Sequence, residues 1–170
     1  TIGKLEAYDL ATGEMVGSYD LPAGAAGNAV TIDGAGNAYI TDIAGARIFK
    51  MDASTDTLME WVQTPFGFLG GITFDGQSSL YAHGGDSSAI LNIAINEDGS
   101  AGEPSRIFLS GVPLTNADGL VYYNENTLFS TVDFNSVVRI NLNEGNTAIV
   151  ETLIAPSSDF FPTSLAVLST

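Results

Sequence analysis

The sequence predicts an all-β fold, a β-propeller of four-stranded antiparallel blades, from three observations. First, the pattern at 27–42, apolar alternation around a glycine-rich break, returns at 70–84. An interval of about 40 residues is typical of folds that copy one supersecondary unit along the chain. Second, the 170 residues include 19 glycines, which favour turns and disfavour helices. Third, short runs rich in β-branched and aromatic residues alternate with polar clusters, as antiparallel strands and hairpins do.

Each predicted blade begins with an innermost strand and continues into a second strand across a tight turn. The innermost strands are predicted at 27–33, 69–75, 117–123 and 162–168. The second strands carry aromatic residues at equivalent positions: Tyr39, Tyr81 and Phe129. Aromatic side chains in register predict a buried layer that packs against the neighbouring blade.

Third and fourth strands complete each blade as a hairpin. The third strands are predicted at 46–52, 89–95 and 136–142, matched near the amino terminus by 3–10. The fourth strands are predicted at 57–64, 104–110 and 148–155, matched by 14–21. Polar clusters of the kind that close hairpins separate the two sets. Sandwiches and lipocalin-type barrels share the short strands, but they do not predict the internal repeat.

We interpret the chain as a single domain with about four blades' worth of strands. The units are a partial blade at 1–24, blades at about 25–65, 66–111 and 112–157, and the first strand of another blade at 158–170. Either the ends close a small ring, or the chain is part of a six-bladed ring completed by missing sequence, a second copy or another chain. We favour missing sequence because the chain starts in mid-blade. Open strand edges would favour self-association.

Charge and composition restrict the partners. Five basic residues face twenty acidic ones, and the net charge of -15 repels nucleic acid and anionic membranes. There is no cysteine, which excludes disulfides and thiolate chemistry. No apolar stretch reaches the roughly 18 residues that a membrane span needs. We expect an extracellular, periplasmic or cell-surface protein, although no signal peptide is visible.

The segment 27–58, GNAVTIDGAGNAYITDIAGARIFKMDASTDTL, resembles the blade pattern of NHL-repeat proteins and of the senescence-marker-protein/gluconolactonase family of six-bladed propellers. In gluconolactonase-like members a divalent cation, typically calcium or zinc, sits at the mouth of the central channel. It is held by a Glu from an early blade, which here would lie before Thr1, and by two Asn and an Asp at the starts of successive innermost strands. The resemblance places metal ligands at Asn28 and Asp118. The second Asn falls on Gly70, which has no side chain, and Thr163 is not a residue that the family requires.

Two functions follow from these residues. The first is a scaffold that binds a small molecule or a protein, in which any metal, Ca²⁺ or another divalent cation, near Asn28 and Asp118 is structural. The alternative is a divalent-metal-dependent hydrolase of lactones or related esters, in which the metal polarises the carbonyl and Asp118 activates water. The glycine at position 70 favours the first.

Three other features could be functional sites, but each also has a purely structural interpretation. His83 beside Asp86, with Ser87 or Ser88, has the composition of a nucleophilic site, but a hydrogen-bonded histidine at a blade end is the better interpretation. The segment 96–103 contains carboxylates, but its spacing predicts a hairpin turn and no calcium loop. Trp61, Phe66 and Phe68 together have the composition of an aromatic platform for a sugar or a peptide. We expect instead that Trp61 covers the outer face of its blade and that Phe66 and Phe68 pack between blades.

Overall fold

The computed structural model describes residues 3–67, 69–84 and 87–167, and its regular elements are fourteen β-strands. They are β1 Lys4–Tyr8, β2 Met15–Asp20, β3 Gly27–Ile32, β4 Ala38–Asp42, β5 Arg47–Asp52, β6 Thr57–Gln63, β7 Leu69–Phe74, β8 Ser79–Gly84, β9 Ala89–Ala94, β10 Ser105–Gly111, β11 Leu120–Asn124, β12 Thr127–Val132, β13 Ser136–Leu142 and β14 Thr147–Ile154. The all-β prediction is confirmed. Over the described ranges, no helix is long and apolar enough to cross a membrane.

The strands form propeller blades of four antiparallel strands. Blade 1 is the sheet β3-β4-β5-β6. Blade 2 (β7–β10) and blade 3 (β11–β14) are the two halves of one eight-stranded sheet, and β1 and β2 form a separate hairpin. Leu5 in β1 and Leu21 just after β2 pack with Phe49 of blade 1. The N-terminal hairpin is therefore anchored to blade 1 by apolar contacts.

The eight-stranded sheet differs from the six-bladed ring that the resemblance implies. The outer strands β10 and β14 pair in parallel, with Phe108 opposite Thr147 and Gly111 opposite Val150. The inner strands of the same two blades also lie side by side, because the backbone N–H of Tyr122 donates to Thr73 Oγ1 at 3.0 Å. Blades 2 and 3 thus curl into a nearly closed sheet. The pairing satisfies backbone groups that an exposed outer edge would leave to solvent.

Equivalent threonines join consecutive innermost strands. Thr31 Oγ1 accepts a hydrogen bond from Phe74 N at 3.2 Å, as Thr73 does one blade further on. Glycine permits the close approach of β7 to the segment before β11, because a Cβ on Gly71 would overlap the carbonyl oxygen of Asp118. These contacts make the inner strands converge on one axis.

Aromatic side chains fill the spaces between blades. Tyr39 is fully buried and packs edge-on against Trp61, with ring centroids 4.9 Å apart. Trp61 also donates its indole N–H to the Gly99 carbonyl oxygen at 2.9 Å. The expectation that Trp61 covers the outer face was therefore wrong: a register shift beside it in β6 accompanies its position against blade 2. Phe66 packs against the same cluster, whereas Phe68 lies outside the described residues.

Hairpin turns use aspartates as backbone acceptors. Asp33 Oδ1 accepts from the N–H groups of Ala35 and Asn37, both at 2.9 Å, and Asp75 Oδ1 accepts from Gln77 at 2.7 Å. Such Asx turns compete well with extended structure and so end the strands. The segment 96–103 is a hairpin turn as predicted, closed by Asn96 N donating to Ser100 O at 2.9 Å.

Candidate functional site

The starts of the inner strands enclose a pocket of about 220 Å³. Its lining residues include Asn28 of β3, Gly70 of β7 and Asp118 just before β11. An adjoining pocket of about 400 Å³ shares Asn28 and Asp118 and extends along the inner strands to Thr163. The prediction of an innermost strand at 162–168 was wrong for the described part, because residues 162–167 form no strand. The structure thus brings together the residues that the repeat aligns at the starts of the innermost strands. We call this region the channel mouth.

Asp118 and Asn28 are polar side chains of the channel mouth that are available to a ligand. Asp118 is half-buried, and its backbone N–H donates to Thr131 O at 3.3 Å. Neither its carboxylate nor the exposed side-chain amide of Asn28 has a hydrogen-bond or ion-pair partner among the described residues. No lysine, arginine or histidine is among the described residues that line either pocket. The channel mouth is therefore an anionic site, rich in hydrogen-bond acceptors, with no counter-ion among the described residues that line it.

Apolar side chains form the rim of the channel mouth. Ile43, between β4 and β5, is 40% exposed, and Phe134, between β12 and β13, is 46% exposed. Asp133 and Phe134 have φ of 51° and 54°, a left-handed conformation that non-glycine residues rarely adopt. Asn116 Nδ2 donates to Asp133 Oδ1 at 3.1 Å, which ties this turn to the segment before β11. Strained turns of this kind cluster at binding sites.

Sequence reasoning missed the rim. The motif VDFNS at 132–136 reads as an ordinary polar turn between strands. The available signal was the Asp-Phe-Asn order, because Asp and Asn tolerate the left-handed region and flank an aromatic residue that has no place in a solvated turn.

Buried threonines fix the backbone that carries the site residues. Thr41 Oγ1 accepts from Ala29 N at 3.1 Å and donates to Gly70 O at 2.8 Å. Thr131 Oγ1 accepts from Gly119 N at 2.9 Å. Both threonines lie two residues after the aligned aromatics of their second strands. The bracing therefore repeats from blade to blade, next to Asn28 and Asp118.

His83 takes the threonine position in blade 2. It is 6% exposed, and its Nε2 lies 3.1 Å from Ser130 Oγ in blade 3. Burial lowers its pKa to about 4, although the backbone carbonyl of Asp118 acts in the opposite direction. The histidine is neutral near pH 7 and lines neither pocket. The interpretation as a hydrogen-bonded blade-end histidine agrees with this geometry, and Asp86 lies outside the described residues.

The oxygen donors at the channel mouth come mainly from amide, hydroxyl and backbone groups, with one carboxylate, Asp118. Among the residues that the structure describes, no three His, Asp or Glu side chains come together as a metal site. Asn28 and Asp118 provide two side-chain oxygen donors, whereas Ca²⁺ takes six to eight oxygen ligands. A Cβ on Gly70 would lie 3.3 Å from Ala117 O and 3.4 Å from His83 Cβ. The packing around Gly70 therefore leaves little room for the missing asparagine.

Comparisons with known proteins give the fold. No family model matches the chain, and no curated protein matches it. Among solved structures, a nidogen/laminin complex gives a TM-score of 0.72 at 18% identity, over 96% of this chain and 62% of that one. Virginiamycin B lyase from Staphylococcus aureus gives 0.68 at 20% identity, over 95% and 52%. A gluconolactonase from Xanthomonas campestris gives 0.65 at 16% identity, over 94% and 56%.

These neighbours are β-propellers, and at such identities the likeness shows the fold alone. The chain spans between half and two thirds of their length. The comparisons therefore show a β-propeller fold for this chain.

Proposed function

We propose that the chain is a binding scaffold whose channel mouth holds a ligand that joins a cationic group to an apolar body. The observation that carries the proposal is the half-buried Asp118 carboxylate, which has no partner among the described residues. A cation would pair with Asp118, Asn28 would accept a further hydrogen bond, and the apolar body would pack on Ile43 and Phe134. The net charge of -15 attracts cations over a longer range.

The ligand is either a small organic cation or a basic side chain of a protein partner. A lysine or arginine reaching into the channel mouth offers the same chemistry, with its aliphatic stem on the rim. The structural likeness to a chain of a nidogen/laminin complex supports a protein partner. The acidic charge also suits export, and we propose an extracellular, periplasmic or cell-surface location on that ground.

A matched pair of probes tests the charge requirement. Phenylethylammonium and phenylacetate have similar size and the same ring but opposite charges. We expect the cation to raise the thermal unfolding midpoint by mass action and the anion to leave it unchanged. Asp118→Asn should abolish the shift, whereas Glu125→Gln, which removes a charge from a different pocket, should retain it. Equal shifts by both probes, or a full shift in Asp118→Asn, would contradict the proposal.

The second candidate is a metal-dependent hydrolase of lactones or esters. The unpartnered Asp118 and the structural likeness to a gluconolactonase support it, while Gly70 weighs against it. Titration with Ca²⁺ or Zn²⁺ against thermal unfolding, with Asp118→Ala as the control, separates the two. Metal-induced stabilisation without turnover of gluconolactone would indicate a structural ion. Stabilisation with turnover, both lost in Asp118→Ala, would favour the hydrolase.

A further inference from the structure

A second polar pocket, of about 310 Å³, lies between blades 2 and 3. Its walls include the turn between β11 and β12 and the turn between β13 and β14. The channel mouth uses the turns at the other ends of these strands, so the two sites are at opposite ends of the strands and on opposite faces of the propeller. We call this second site the amide pocket after four side chains in its lining: Asn92, Asn126, Asn143 and Asn146.

The backbone of the amide pocket is fixed, while three of its four amide side chains have no partner among the described residues. Phe108 N donates to Asn146 O at 2.9 Å, and Leu142 N donates to Asn126 O at 2.7 Å. The side chains of Asn126, Asn143 and Asn146 have no hydrogen-bond partner among the described residues. Each free amide offers two N–H donors and one carbonyl acceptor. The pocket therefore presents several donors and acceptors on a rigid frame.

The corresponding space between blades 1 and 2 is occupied by protein. There Trp61 packs on Tyr39 and reaches the carbonyl of Gly99 in the β9–β10 turn. In blade 3 the equivalent turn contributes Gly145 to the amide pocket, where Ile107 is the apolar lining residue from β10. No aromatic side chain from β10 fills the space. The parallel pairing of β10 with β14 closes the outer side and leaves a polar cavity.

The lining selects for a neutral ligand with many hydroxyl groups. Ser105 and Tyr81 add hydroxyls, and Tyr81 stacks on Tyr122 with ring centroids 6.0 Å apart and planes 9° apart. No cationic side chain lines the pocket, and the carboxylate of Glu125 disfavours anions. Hydroxyl groups both donate and accept, as the amides do, and Ile107 and Leu142 in the lining offer apolar contact for the carbon skeleton of a ring. The volume is at the lower limit of small-molecule sites, which is about 300 Å³.

From this lining we infer that the amide pocket binds a single neutral sugar residue. The inference is independent of the ligand at the channel mouth, because no lining residue is shared. It assigns a carbohydrate-binding role to the face opposite the mouth. A protein could then hold a glycan on one face and a cationic ligand on the other.

Nuclear magnetic resonance of the ¹⁵N-labelled chain tests the inference. The probes are glucose, galactose, mannose and N-acetylglucosamine, each titrated separately. We expect at least one sugar to shift the side-chain amide resonances of Asn143 and Asn146 in a saturable manner. Sorbitol at the same concentration controls for non-specific polyol effects. Absence of a saturable shift with all four sugars would overturn the inference.

Paired variants locate the site. Asn143→Ala and Asn146→Ala remove side chains that bond to no described residue, so folding should be retained. We expect each to weaken sugar binding at least tenfold. Gln77→Ala removes an exposed amide that lines neither the amide pocket nor the channel mouth, and it should bind sugar as the parent does. Full binding in Asn143→Ala and Asn146→Ala, or its loss in Gln77→Ala, would show that the sugar does not occupy the amide pocket.

Discussion

Replacing Thr41 by valine removes a hydroxyl with almost no change of shape. Thr41 is fully buried, and its Oγ1 serves the Ala29 N–H and the Gly70 carbonyl at 3.1 and 2.8 Å. Ladder pairing is irregular at both places, with register shifts between Gly27 and Val30 and between Leu69 and Ile72. The hydroxyl therefore replaces ladder hydrogen bonds where the inner strands bulge beside the channel mouth.

The size of the effect follows from the groups left unpaired. A buried donor or acceptor without a partner costs about 1–3 kcal/mol. Thr41→Val leaves two such groups, so the free energy of unfolding should fall by about 2–6 kcal/mol. Thr131→Val leaves one, the Gly119 N–H, and should cost about 1–3 kcal/mol.

Urea denaturation followed by circular dichroism measures both free energies against an exposed control, Thr152→Val. The order of destabilisation should be Thr41→Val, then Thr131→Val, then Thr152→Val. Because the two buried threonines hold equivalent positions in their blades, differences in local propensity largely cancel. Equal effects of Thr41→Val and Thr152→Val would refute the argument that side-chain hydroxyls substitute for the ladder.

Two further predictions concern stability. Burial lowers the pKa of His83 from 6.5 in the unfolded chain to about 4 in the folded one. Between these pH values the histidine is protonated more in the unfolded chain than in the folded chain. The free energy of unfolding should therefore fall by up to about 3 kcal/mol as the pH drops from about 6.5 to 4. Urea unfolding at several pH values should show a smaller slope over this interval in His83→Gln, and an unchanged slope would contradict the assignment. Gly71→Ala should lower the free energy of unfolding by about 1–3 kcal/mol, because the added Cβ would meet the Asp118 carbonyl oxygen. The control is Gly34→Ala, because a Cβ on Gly34 has no atom within 4 Å. Equal effects of the two substitutions would exclude this explanation.

The repeat made the fold and one part of the site predictable. Innermost strands of a propeller point to one axis, so residues at equivalent positions, such as Asn28 and Asp118, meet in one pocket wall whatever their chemistry. The hairpin turns were predictable because Asp, Asn and Gly specify them locally. The roles assigned to Asn28 and Asp118 stay predictions, since position in a repeat does not determine what a side chain binds.

Other features depend on contacts between strands far apart in the chain. The parallel pairing of β10 with β14 has no signal in either strand, because any outer strand offers the same backbone groups. The inward position of Trp61 depends on a register shift in its own hairpin and on Gly99 in the next blade. The amide pocket takes its lining from strands and turns of two blades. None of these has a fixed spacing in the sequence.

The environments of the aspartates explain why Asp118 is the residue to follow at the channel mouth. The carboxylate of Asp42 is fully buried and bonds to Ala26 N and Arg47 Nε, both at 2.8 Å. Burial raises the pKa of Asp42, but these partners outweigh burial and hold the pKa below its usual value. Asp33 likewise accepts backbone hydrogen bonds in its turn. The carboxylates of Asp42 and Asp33 stabilise the fold, and their oxygens have few hydrogen-bonding sites left for a ligand. Asp118, by contrast, has lost part of its hydration without gaining a partner among the described residues. A bound cation would repay that desolvation, so replacing Asp118 by asparagine should abolish ligand binding while leaving the free energy of unfolding unchanged or slightly raised.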